Sequence, residues 1–241
     1  MQSSSLSTQL CGAKAAALAL ALALCLAASG CASVAPSVPQ DISLSGIASE
    51  VRSAGRMYQP FRDGYFEVGN YKVTGIHHSI TVGNELSIGQ YSQASSTGRF
   101  QFLVTGPRSA WTARCQRLAW SKSINVQRVG VGIGNSGLQC EFTSGDQRAT
   151  LELNDVTENV SGSVRIGNNS YDLRQFFQDT PELGKAYVPG PLGLRIDRGG
   201  ENVAALAFAR PGTFWLNRSL APEHQDALAG VLAALLIDVR R

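Results

Sequence analysis

The chain has 241 residues, of which 44% are hydrophobic and 16% charged, with 25 glycines, a formal net charge of +3 and a mean hydropathy of -0.03. This balance is too apolar for a disordered chain and too glycine-rich for a helical bundle. The hydropathy excludes a polytopic membrane protein, and the weak basic excess is not that of a dedicated nucleic-acid binder, so nucleic acid is not an expected partner.

Residues 1–30 read as a targeting segment. A polar stretch carrying one cation, Lys14, precedes a fourteen-residue apolar run from Ala15 to Ala28. That length suits the core of a signal peptide and is short for a membrane span. The run ends in Ala28-Ser29-Gly30-Cys31, which resembles the bacterial lipobox. The resemblance implies cleavage before Cys31 and acylation of its thiol, palmitate-type chains included. Ala32, rather than Asp, after the cysteine implies sorting to the outer membrane. Several acyl chains anchor a protein stably. The alternative is ordinary signal cleavage, which leaves a soluble secreted protein.

Cleavage removes Cys11 and Cys25 with the signal and leaves a net charge of +2. If Cys31 is acylated, Cys115 and Cys140 remain. An even pair in an oxidising compartment predicts one disulfide; two separate buried thiols are the alternative.

Residues 31–42, rich in Ala, Ser, Val and Pro, read as a tether. Residues 43–58 fit a short helix, with Ile47, Val51 and Ala54 on one side. From Tyr65 the period changes to two. Phe66–Val68 and Tyr71–Thr74 form a hairpin pattern across Gly69-Asn70, and Ser79–Val82 continues it. Further strands are expected at Phe100–Val104, Thr112–Trp120, Asn125–Val131, Leu138–Thr143, Ala149–Leu153, Val164–Ile166, Tyr171–Leu173, Leu192–Ile196, Val203–Phe208 and Thr213–Leu216. A glycine-rich turn is expected between Val131 and Leu138. About a dozen short strands imply an all-β barrel or sandwich.

A helix is expected over residues 222–239. Pro222 suits its first position, and Glu223 there and Arg240 and Arg241 beyond its end complement the dipole. Between Asp226 and Asp238 no residue has a polar side chain. A surface helix shows a polar face, and eleven residues span about 16 Å, too little to cross a bilayer. A helix apolar all round in a β protein is enclosed by sheet. The expected fold is therefore an antiparallel β-barrel of about twelve strands around a hydrophobic C-terminal helix, residues 60–241 forming one domain. A β-sandwich with a packed helix is the alternative.

The Leu235-Leu236-Ile237-Asp238 ending, with Gly200–Leu206 and Thr213–Leu216 before it, resembles the C-terminal barrel of tubby-like proteins, phospholipid scramblases and LURP-one-related proteins. The resemblance implies the same helix-filled barrel. Fold alone does not transfer function.

Gly132-Ile133-Gly134-Asn135-Ser136-Gly137 spells G-x-G-x-x-G, but a strand pattern follows instead of the helix a dinucleotide site needs. It reads as a hairpin loop. His77 and His78 are adjacent and point to opposite faces of a strand. No catalytic residue, cofactor site or metal site is assigned, and enzymatic activity is not expected. Residues 86–140 hold Arg99, Arg108, Arg114, Arg117, Lys122 and Arg128 and no acid, with Trp111 and Trp120 among them. Arg108, Arg114, Arg117, Lys122 and Arg128 are candidate anion-binding residues suited to phosphate headgroups; a solvated face balanced by distant acids is the alternative.

The leading expectation is a non-catalytic binding module for anionic lipid or another envelope component, anchored at the outer membrane. The alternative is a structural lipoprotein that binds another envelope protein, and the third is an envelope hydrolase.

Overall fold

Alternation of apolar and polar side chains runs through most of the chain after Tyr65, and a strand with differing surroundings on its two faces requires it. A computed structural model describes residues 38–58, 62–79, 81–88, 90–126, 129–156, 159–177, 190–209 and 211–239. Residues 1–37, which include the expected signal segment, Cys31 and most of the expected tether, lie outside the described residues, as do Arg128, Arg240 and Arg241.

A short helix, α1 (Gln40–Ser45), leads into β1 (Gly46–Arg52), a 3-10 turn at Ala54–Arg56, β2 (Gly64–Val68), β3 (Tyr71–His78), β4 (Val82–Ile88) and β5 (Tyr91–Thr105). Then come β6 (Ala110–Val126), β7 (Val129–Ser144), β8 (Gln147–Val156), β9 (Asn159–Ile166) and β10 (Asn169–Phe176). The chain ends with β11 (Gly193–Arg198), β12 (Glu201–Ala207), β13 (Thr213–Asn217) and α2 (Pro222–Val239).

Twelve strands close into an antiparallel barrel. The order runs β3-β2-β1-β13 and then down through β12 to β5, and β3 pairs with β5 to complete the ring. The first and last strands meet at the β1–β13 seam, from Gly46↔Asn217 to Glu50↔Thr213. The thirteenth strand, β4, is outside the ring. It pairs with the first half of β5, from Ile88↔Tyr91 to Val82↔Thr97, while the second half of β5 pairs with β3.

Eight strands make a barrel that side chains alone fill, and width grows with strand number. Twelve leave room for a helix, and α2 occupies it. Every residue from Asp226 to Asp238 is buried. Around it stand the inward residues of the strands, among them Phe66, Phe102, Trp111, Phe142, Leu173 and Phe214, each at most 2% exposed. The all-β barrel with an enclosed C-terminal helix is the architecture the sequence implied.

The polar ends of α2 are closed by partners from the wall. Asp226 is buried at the N-terminal end. The backbone N–H groups of Arg108 and Ser109 donate to its Oδ2 at 3.1 and 2.8 Å, and the Ser109 hydroxyl donates at 2.9 Å. Gly106 passes so near that a Cβ there would stand 2.5 Å from Asp226 Oδ1. Burial, followed by the charge and hydrogen bond of Asp226, pushes the Tyr71 hydroxyl well above its ordinary pKa. At the C-terminal end the Tyr58 hydroxyl donates to the Ile237 carbonyl, and Asp238 pairs with Arg117.

Four local expectations are corrected. Residues 43–58 are not a helix. The helix is Gln40–Ser45, and Gly46–Arg52 is a ring strand, because β13 and β2 both offer it an edge. The tether expected over 31–42 does not extend to its predicted end, since Gln40–Ile42 are helical. Ile42 is fully buried with Phe176, Leu192 and Trp215 on the outside of the barrel, and Asp41 lies 2.7 Å from Arg195. Burial, the largest single influence, pulls the Arg195 guanidinium pKa down, but the hydrogen bonds and charge of Asp197 and then of Asp41 together hold it above its ordinary value. Gly132–Gly137 is no turn, since β7 runs unbroken through it. Of the strand expected over Ser79–Val82, Ser79 and Thr81 belong to no strand, and β4 begins at Val82, where that segment was expected to end.

Candidate functional site

Strands β5, β6 and β7 have 15, 17 and 16 residues, longer than the ring needs. Their surplus, with β4, forms a four-stranded arm. Along β5 the portion paired with β4 instead of β3, Tyr91 to Thr97, spans about 20 Å at the strand rise of ~3.3 Å per residue.

Strand alternation gives the arm two different faces. The face continuous with the barrel interior carries small residues: Ala94, Ser96, Ala119, Ser121 and Gly134, with Ser92 Oγ 2.6 Å from Ser123 Oγ. The outer face carries large ones. Val82 and Ile88 are each 67% exposed, Leu86 59%, Leu118 45% and Trp120 43%. The register sets them side by side in rows: Val82–Thr97–Leu118, Asn84–Ser95–Trp120 and Leu86–Gln93–Lys122. No residue of β4 is buried. The Lys122 ammonium lies 5.9 Å from the centroid of the Trp120 ring.

Below the arm, on the outer wall, is a groove of about 600 Å³. It is lined by His77, Arg99, Gln101, Arg114, Glu141 and Glu152, among others. Arg114 and Glu141 are register partners on adjacent strands, so the groove offers cations and carboxylates together. His77 Nδ1 lies 3.6 Å from Asp63. His78 stacks against Tyr58, with ring centroids 4.9 Å apart.

The described candidate anion-binding residues are spread from the turn before β6 along that strand instead of converging. Arg108 sits in the turn before β6, at the Asp226 end of the helix. Arg114 points outward into the groove. Arg117, three residues on, falls on the other face. It pairs with Asp238, donates to Ser136 Oγ at 3.0 Å, and stands 3.9 Å from Asp155. Lys122 lies on the arm. Arg128 is outside the described residues, as is Cys31. Cys115 and Cys140 form a disulfide, directly opposite each other on β6 and β7 and buried in the wall. Trp111, noted beside the basic residues, is a core residue whose indole N–H donates to Ser109 Oγ at 2.9 Å.

Beside the Arg117–Asp238 pair, the barrel mouth holds a cavity of about 390 Å³. Leu153, Val160, Leu194, Phe208 and Leu235 supply its apolar walls. Among the described residues no group of three His, Cys, Asp or Glu could hold a metal ion, and no helix is long and apolar enough to cross a membrane. The sequence reading missed the arm's outer face. Its signal was the alternation Val82, Asn84, Leu86, Ile88, facing an equally alternating Leu118, Trp120, Lys122.

Comparison with known proteins gives no match: no family model, curated protein or solved structure matches the chain.

Proposed function

We propose that the chain is a bacterial outer-membrane lipoprotein, held by acylated Cys31, whose barrel is a non-catalytic module that binds another envelope protein through the outer face of the arm. One observation carries the reading. Five large apolar side chains, Val82, Leu86, Ile88, Leu118 and Trp120, lie exposed on a single face of a sheet with no core of its own. Contiguous exposed apolar surface of this kind marks an interaction site. Its interleaving with Asn84, Gln93, Ser95 and Thr97, and its one cation among the described residues, Lys122, match the aromatic-bearing, charge-poor composition of protein interfaces.

The anionic-lipid reading is less well supported. Of its candidate cations, Arg117 is engaged by two carboxylates and Arg114 faces Glu141. The Trp120–Lys122 pair beside aliphatic residues is the one feature that favours lipid. Twelve strands around a hydrophobic terminal helix support the kinship with tubby-like barrels.

The test uses full-length chain in intact bacterial cells, cross-linked and then purified in detergent. Wild type is expected to retain a partner protein. Leu86→Asp with Trp120→Asp is expected to lose it at an unchanged unfolding midpoint, since both positions are exposed. Purified Cys31→Ser chain, which carries no acyl anchor, is expected not to float with phosphatidylglycerol vesicles. Salt-sensitive flotation abolished by Arg114→Glu, with no cross-linked protein, would overturn the reading in favour of lipid. For the anchor, Cys31→Ala is expected to move the protein from the membrane to the soluble fraction.

A further inference from the structure

The arm has an open side as well as an apolar face. Among the described residues β4 is the terminal strand of the sheet order, paired only with β5. Its other edge therefore presents the backbone N–H and C=O groups of a seven-residue strand, Val82–Ile88. Proteins usually guard such an edge with proline, lysine, a bulge or a covering loop. The sequence Val-Gly-Asn-Glu-Leu-Ser-Ile has no proline and no lysine, and its pairing with β5 runs through seven consecutive residues without a bulge. Glu85 is its one charge.

We infer that β4 is a strand-addition site: an extended segment of the partner protein pairs with its open edge and carries the sheet outward by one strand. This rests on the reading of the arm as a protein-docking element, and specifies how the partner is held. Three observations select the occupant. A lipid surface would cover Val82, Leu86 and Ile88 but leave the edge backbone groups unmet in hydrocarbon, whereas a strand meets both needs at once. Alternation on β4 asks for apolar residues at alternate positions of the incoming strand, beside Val82, Leu86 and Ile88. Glu85, on the opposite face, asks for a Lys or Arg opposite it. That charge also opposes a second copy of this chain, because two β4 strands paired antiparallel about their centres bring Glu85 against Glu85.

The experiment places the photo-cross-linker p-benzoylphenylalanine singly at Glu85, Ser87, Leu86 and Trp120 of the full-length chain in living cells. Strand addition sets partner side chains beside both faces of β4. Adducts to a protein of different mass are then expected from Glu85 and Ser87 as well as from Leu86. Amide hydrogen exchange of the purified adduct is expected to slow across Val82–Ile88. A Leu86→Lys background is expected to lose the Glu85 adduct while the far-ultraviolet spectrum and unfolding midpoint stay as in wild type. Adducts from Leu86 and Trp120 alone would overturn strand addition and leave face docking in place. An adduct of twice the chain's mass would assign the edge to a second copy and overturn the inference. No protein adduct from any position would overturn the inference and the proposed function together.

Discussion

Gly230 lies in the middle of α2, inside the barrel, and the geometry leaves room for a side chain there. A Cβ built on Gly230 meets Phe142 Cδ1 at 3.5 Å, Phe142 Cε1 at 3.6 Å and Val104 Cγ2 at 4.0 Å. These are ordinary contact distances, so the methyl fits without moving its neighbours. Gly230→Ala removes a helix-interior glycine, worth about 1 kcal/mol in propensity, and adds a buried methyl worth up to about 0.8 kcal/mol. The expected gain is about 1–2 kcal/mol, or roughly 2–8 °C in the thermal midpoint of a domain of this size. Urea titration and calorimetry of Cys31→Ser protein with and without Gly230→Ala measure it. The paired control is Gly106→Ala, whose Cβ would stand 2.5 Å from the buried Asp226 carboxylate and which is expected to destabilise. An unchanged or lowered midpoint for Gly230→Ala would mean that the lumen is tighter around the helix than these distances state, and the reasoning would fail.

Two further outcomes follow from the core. The Tyr71 hydroxyl is held above its ordinary pKa by burial and by Asp226. Above about pH 10 the unfolded chain loses that proton while the folded chain keeps it, so stability is full below that pH and falls as pH rises toward the folded value; Tyr71→Phe is expected to flatten this alkaline decline in urea midpoints between pH 9 and 11. The Cys115–Cys140 bridge closes a loop of sequence separation 25, and Cys115→Ser with Cys140→Ser is expected to lose about 3–4 kcal/mol in the same titration.

The helix-filled barrel was legible because a single run, Ala227 to Ile237, contradicts every arrangement in which a helix face meets water. Position within the sheet was harder to read. Ile47, Val51 and Ala54 are spaced for a helix face, and only the seam offered by β13 and β2 makes Gly46–Arg52 a strand. The glycines from 132 to 137 read as punctuation, yet β7 absorbs them because its partner β6 continues beside it as far as Val126↔Val129. The arm was invisible as a site because its residues gain nothing from burial: β4 is a strand by virtue of β5 alone. The basic stretch misled for a simpler reason. Arg114 and Arg117 are neighbours in the sequence, but an odd separation along a strand puts them on opposite sides of a wall.

The seam between the first and last strands governs when this molecule can fold. β1 waits for β13, and the helix that fills the ring comes after both. A chain made from its N-terminus thus has twelve ring strands in hand before its core exists. Until Leu235 and Leu236 arrive, inward residues such as Phe66 and Phe102 have no helix to pack against. Contacts of such long sequence separation make folding slow and leave apolar strands open to mispairing in the interval. The delay also sets the weight carried by α2: losing its last two turns would leave half of the ring without a centre.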